Sequence, residues 1–120
     1  MVPGDDRPRV LVVEDEALVA MDLESSLLRA GFAVAGPAAT VAVGTELAAG
    51  PLRAAVLDIN IAGELAFPVA DALAGRGIPF LFVTGYGPEI LPARFRGRPL
   101  LRKPCSPRAV LAALKALPER

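Results

Sequence analysis

Hydrophobic residues along the chain gather into short unbroken runs separated by longer amphipathic stretches. The runs are Val10 to Val13, Ala54 to Leu57, Phe80 to Val83 and, more weakly, Leu100 to Leu101, with shorter β material at Phe32 to Ala35. Continuous rather than alternating hydrophobicity suits strands buried on both faces, as in a parallel sheet covered by helices. Between the runs, residues 17 to 30 place Ala20, Leu23, Leu27 and Leu28 on one helical stripe and stop at Gly31. A weaker helix is expected near Val41 to Ala49, another from about Pro68 to Ala74, and a last one in which Ser106 caps, Pro107 takes the first position and Val110, Leu111, Leu114 and Leu117 form the buried stripe.

These elements amount to five β–α units, one of them irregular. After Val83, Pro88, Pro92, Gly97 and Pro99 leave room for at most a short turn of helix between Glu89 and Phe95, so the fourth helix is expected to be shortened or irregular. With no repeat and no linker-like stretch, residues 1–120 read as a single α/β domain with no room for an output domain.

Composition then removes whole classes of chemistry. The 120 residues include no histidine, no tryptophan and one cysteine. That excludes Ser-His-Asp and Cys-His triads, His-ligated zinc and any internal disulfide. No apolar run approaches the ~18 residues of a membrane span, and the start MVPGDDRPR does not resemble a signal peptide, so a soluble, cytoplasmic protein is expected. The 13 basic and 13 acidic side chains balance but are unevenly placed. Asp5, Asp6, Glu14, Asp15, Glu16, Asp22 and Glu24 load the beginning, whereas the bases from Arg94 onward face only Glu119. A neutral total argues against non-specific nucleic-acid binding, and the short apolar runs against a membrane partner.

In an open parallel sheet the ligand site lies at the carboxyl ends of the strands. Glu14 and Asp15 follow the first run, Asp58 ends the Ala54 run, Thr84 follows Val83, and Lys103 follows Leu101. Clustered carboxylates repel one another unless a hard divalent cation sits among them, and such oxygen ligands suit Mg²⁺. Asp58 is then a candidate nucleophile toward a phosphoryl group, with Lys103 and the metal neutralising charge on the transferring oxygens and Thr84 donating a hydrogen bond.

Here the sequence resembles the response-regulator receiver domains of two-component signalling, over essentially the whole chain. Glu14 and Asp15 match that family's acidic pair, Asp58 its phosphoacceptor, Asn60 the position whose backbone carbonyl binds metal, Thr84 its switch hydroxyl, and Lys103-Pro104 its Lys-Pro pair with a usually cis peptide. The resemblance implies a doubly wound flavodoxin-like sheet of order 2-1-3-4-5. It also implies a Mg²⁺-dependent phosphoacceptor that assists its own phosphorylation and dephosphorylation without being a classical enzyme, taking the phosphoryl group from a sensor histidine kinase or a histidine phosphotransfer protein. Phe82-Val83-Thr84-Gly85-Tyr86 further resembles the motif of stand-alone alphaproteobacterial receivers, Val83 replacing the usual Ala. Leu100 stands where a switch aromatic is common, which leaves Tyr86 or the irregular loop after it to carry the signal.

Simpler readings exist for each residue. Asp15 and Asp58 taken singly suit a helix cap and a turn, Thr84 a strand-end hydroxyl, and Tyr86 a half-buried aromatic. Glu14, one methylene longer than Asp, can reach a metal directly or through water. An ammonium at Lys103, just after an apolar strand, costs desolvation unless it meets carboxylates. Asn60 cannot serve as the general acid that a haloacid-dehalogenase-type phosphatase needs at that offset. Arg94, Arg96, Arg98 and Arg102 read equally as a solvated loop or a partner-docking surface, and Cys105 as packing. The alternative to a phosphoacceptor is a pseudo-receiver, a binding module of the same fold that works without phosphorylation.

Overall fold

The computed structural model describes residues 6–118. Residues 1–5, including Asp5 and most of the start read above, and Glu119 lie outside the described residues. In chain order the elements are β1 (Arg9–Val13), α1 (Ala17–Arg29), β2 (Ala33–Ala38), α2 (Val41–Leu47), β3 (Ala54–Asp58), a hairpin of β4 (Asn60–Ile61) and β5 (Glu64–Leu65), α3 (Phe67–Gly75), β6 (Phe80–Thr84), two 3-10 turns (Pro88–Ile90 and Ala93–Phe95), β7 (Leu100–Arg102) and α4 (Pro107–Ala116). The main sheet has five parallel strands in the order β2-β1-β3-β6-β7. This is the expected doubly wound order, its last two strands numbered later because the hairpin intervenes.

Unbroken apolar runs become central strands because successive side chains feed opposite faces of the sheet. Leu11, Val13, Ala55, Leu57, Phe80 and Phe82 belong to one core, completed by residues of α2 and α3 such as Val41, Val69 and Leu73. Val10, Val12, Ala54, Val56, Leu81 and Val83 belong to the other, with Leu23 and Leu27 of α1 and Val110 and Leu114 of α4. On α1 the buried stripe is Ala20, Leu23 and Leu27, while Leu28 is 45% exposed, against expectation. Leu27 already occupies the inward position, and one further residue rotates the side chain by 100° toward solvent. Leu111 and Leu117 are only partly buried at the margin of the core.

Local chemistry sets the element ends. Thr40 Oγ1 accepts the Val43 N–H at 3.1 Å and Ser106 Oγ accepts the Ala109 N–H at 3.1 Å, capping α2 and α4, the latter with Pro107 in its first turn. Strand β2 runs beyond Ala35 to Ala38 by way of an irregularity, the register against β1 shifting between Leu11 and Val13. Gly36 makes this possible at φ 93, where an added Cβ would stand 2.9 Å from the Val12 carbonyl oxygen. Pro37 is tolerated because β2 is an edge strand.

The fourth helix is absent as a regular element, as the proline spacing predicts. The two 3-10 turns between β6 and β7 cover that face instead, and Phe95 fills the volume. Its ring lies 5.8 Å from Phe67, 6.0 Å from Phe80 and 5.6 Å from Phe82, centroid to centroid. Arg94 holds the turn down from outside through a two-pronged pair with Asp71 of α3, at 2.8 and 3.0 Å. No helix among the described residues is long and apolar enough to cross a membrane.

Candidate phosphoacceptor site

The carboxyl ends of β1, β3, β6 and β7 bring together Glu14, Asp15, Asp58, Thr84 and Lys103. Lys103 is the hub. Its Nζ donates to Asp58 Oδ2 at 2.8 Å and to Glu14 Oε1 at 3.1 Å, and stands 3.8 Å from Glu16 Oε1. The lysine reaches inward from the residue after β7, where its peptide bond to Pro104 is cis, as the resemblance implies. Asp58 ends the innermost strand, and both it and Glu14 are buried.

Glu14 and Lys103 respond oppositely to this setting. Burial raises the Glu14 carboxyl above its ordinary range and the nearby Asp58 charge adds to the rise; the Glu16 N–H, bonded to Oε2 at 3.1 Å, and Lys103 oppose it. For Lys103, burial disfavours the ammonium, but the hydrogen bonds and charges of Asp58 and Glu14 outweigh it and hold the amine above the usual lysine range. The lysine is therefore a fixed cation at neutral pH.

Glu14, Asp15 and Asp58 each present an oxygen, and these oxygens lie within 4.8 Å of one another. Three carboxylates against one ammonium leave local negative charge unbalanced, and hard oxygen donors at this spacing fit a divalent cation such as Mg²⁺. Asp15 is the exposed member of the three, and its Oδ2 accepts the Ala62 N–H at 2.9 Å. Asn60 begins β4, two residues beyond Asp58 and exposed. Thr84 is buried, its Oγ1 accepting the Tyr86 N–H at 3.1 Å, so its own hydroxyl proton remains for an acceptor in the site.

The outlying residues divide. Tyr86 is half-exposed at the site rim, and Leu100 is half-buried on β7 in register with Phe82. Arg94 is engaged with Asp71 and with the Phe95 ring, and the Arg98 guanidinium lies 4.5 Å over the Phe80 ring. Arg96 and Arg102 are exposed. Cys105 packs at the edge of the α1–α4 core, where burial pushes its thiol up. It helps to line a cavity of about 490 Å³ that runs from Glu14, Asp58 and Lys103 between α1 and α4, past Val19, Leu23 and Val110.

Sequence reasoning missed the hairpin, the Ala62 amide and Asp71. Gly63 was a signal for a two-residue hairpin loop, but alanine beside it is not a residue such loops favour, and Asp71, the single polar side chain of α3, has its partner Arg94 23 residues further along the chain.

No family model matches the chain. It is 34% identical over 117 residues to the phyllosphere-induced regulator PhyR of Methylorubrum extorquens, spanning 92% of this chain but 43% of that protein's length. Among solved structures, SdrG from Sphingomonas melonis Fr1 is 43% identical with a TM-score of 0.74, the match covering 92% of this chain and 98% of that one. The receiver (REC) domain of the response regulator PhyR from Erythrobacter litoralis is 31% identical with a TM-score of 0.78, over 91% and 88%. Similar to both in fold and, at 43% and 31% identity, in sequence over more than nine tenths of its length, the chain belongs to the response-regulator receiver-domain family.

Proposed function

We propose that the protein is a response regulator that accepts a phosphoryl group on Asp58 from a phosphohistidine of a partner. The observation that carries this reading is the buried Asp58 carboxylate held 2.8 Å from Lys103 beside two further carboxylates. An Asp58 oxygen forms the new O–P bond as the N–P bond breaks, its electron pair leaving on the imidazole nitrogen. Asp15, Asp58 and the Asn60 carbonyl, with Glu14 directly or through water, would hold Mg²⁺, which would supply charge neutralisation at the phosphoryl oxygens. Lys103 moves from pairing with Asp58 to pairing with the new phosphoryl charge, and the Thr84 hydroxyl donates to it.

The nucleophile's partner chemistry comes from outside, because the chain has no histidine. Support for a docking partner lies on α1, where Leu18 is 78% and Met21 61% exposed beside the cavity that reaches Asp58. A sensor histidine kinase or histidine phosphotransfer protein fits this face. The effect is then exerted by protein contact, or the chain passes the phosphoryl group on as a phosphorelay intermediate or phosphate sink. The segment after β6, with Tyr86, Leu100 and the exposed Arg96, is the surface that reports the phosphorylated state, Arg94 and Arg98 anchoring it.

The test is incubation with Mg²⁺ and an autophosphorylated histidine kinase. An acid-stable, base-labile label on the wild-type chain and none on Asp58→Ala is the expected result; a label that survives Asp58→Ala sinks the reading. Tyr86→Leu should accept the label normally yet weaken partner binding by the phosphorylated form, and unchanged binding would remove Tyr86 from the signalling surface.

A further inference from the structure

The exposed carboxylate of Asp15 needs something to aim it. An aspartate side chain in water samples several rotamers, and a cation recruiting it must fix one. Glu14 and Asp58 are held by burial and by Lys103, but Asp15 is held by a backbone amide 47 residues away in sequence, that of Ala62.

The hairpin that carries this amide is small and firmly based. Asn60 pairs with Leu65 and Ile61 with Glu64 across a two-residue turn. Ile59 and Ile61 are fully buried, and the Ala66 N–H donates to the Ile59 carbonyl at 2.7 Å, so the base is set in the core directly after Asp58. At the tip, Ala62 has φ 51 and Gly63 φ 82. Alanine rarely adopts a left-handed backbone, because its Cβ crowds the carbonyl that follows. In this conformation the Ala62 N–H points at Asp15.

We propose that the Ala62 amide is a positioning group for Asp15, so that the β4–β5 hairpin sets the affinity of the acidic site for its divalent cation. This rests on the cation reading given above. Asp58 ends β3 and Asp15 lies in the loop after β1, and the hairpin ties both to one frame, which lowers the cost of gathering the ligands. The coupling is reciprocal: a cation that holds Asp15 in place also holds its partner, and the Ala62 amide becomes harder to expose.

Calorimetric titration with Mg²⁺ and amide hydrogen exchange test this together. Gly63→Val strains the turn at a φ that L side chains rarely adopt, in open space with no heavy atom within 4 Å of the added Cβ. It should raise the Mg²⁺ dissociation constant by about tenfold while the chain stays folded by circular dichroism. Ala62→Gly keeps the N–H, relieves the turn and should tighten binding. In the metal-free protein, Asp15→Ala should speed exchange at Ala62 by about tenfold, and Mg²⁺ should slow it in the wild type. Wild-type affinity in Gly63→Val, or exchange at Ala62 indifferent to Asp15→Ala, removes the hairpin from the site and overturns the proposal alone. A wild-type chain that binds no Mg²⁺ overturns both the proposal and the reading beneath it.

Discussion

Lys103 shows how one side chain can carry a desolvation cost and still be placed for the role proposed for it. Its ammonium is partly withdrawn from water, yet the Asp58 and Glu14 oxygens at 2.8 and 3.1 Å more than restore the lost solvation, and the amine is harder to deprotonate than a free lysine. The folded chain therefore keeps this proton at pH values where the unfolded chain has released it. The pair's contribution to stability is complete below the ordinary lysine value of 10.5 and falls as pH rises above it toward the elevated folded value. Urea unfolding across this alkaline range should show a shallower decline for Lys103→Met than for the wild type. Equal slopes would mean that Lys103 is not the group responsible. The substitution also leaves Glu14 and Asp58 facing each other without a cation between them, so the same variant should lose phosphotransfer.

The irregular segment between β6 and β7 is the element that departs most from a regular β–α repeat. Proline spacing prevents a helix, but the sheet face beneath still needs an apolar cover, and Phe95 supplies it from a single 3-10 turn. Its ring contacts three other phenylalanines, whereas the Arg94–Asp71 pair beside it is roughly half in water. Solvent screening weakens such a pair, so the buried ring pins the segment more firmly than the ion pair does. Phe95→Ala should cost about 3–5 kcal/mol in chemical unfolding, with Arg94→Ala shifting the midpoint far less. The reverse ranking would mean that electrostatics hold the segment. A cover made of turns shifts more readily than a packed helix, which suits the role proposed for this surface in reporting the state of Asp58.

At the scale of the whole molecule, the doubly wound sheet separates binding from support. Each central strand ends its hydrophobic run at the same edge, so residues far apart in sequence meet there while both faces stay sealed by helices and, between β6 and β7, by the two 3-10 turns. The exposed apolar residues of α1 sit beside that edge, where the proposed phosphodonor is expected to approach. Met21→Glu should slow transfer from a phosphorylated histidine kinase by about tenfold, the order expected for a charge placed on an apolar contact, yet leave autophosphorylation by phosphoramidate unchanged. Equal slowing of both reactions would mean that α1 acts on the chemistry and not on docking.

Much of this was legible in one dimension. Strand runs, the capped last helix and the missing fourth helix follow from burial, proline geometry and side-chain capping, all properties of neighbouring residues. The residues that end the strands announced the site because the parallel fold sends every strand end to one edge. Tertiary structure alone decided that Leu28 faces solvent, that Arg94 is spent on Asp71, and that Lys103 divides itself between Asp58 and Glu14. It also decided that Asp15 meets the amide of Ala62. An amide N–H is common to every residue but proline, so no side-chain pattern can mark the one that matters. Only the path of the backbone, here a left-handed turn set on a buried base, brings that proton to the carboxylate.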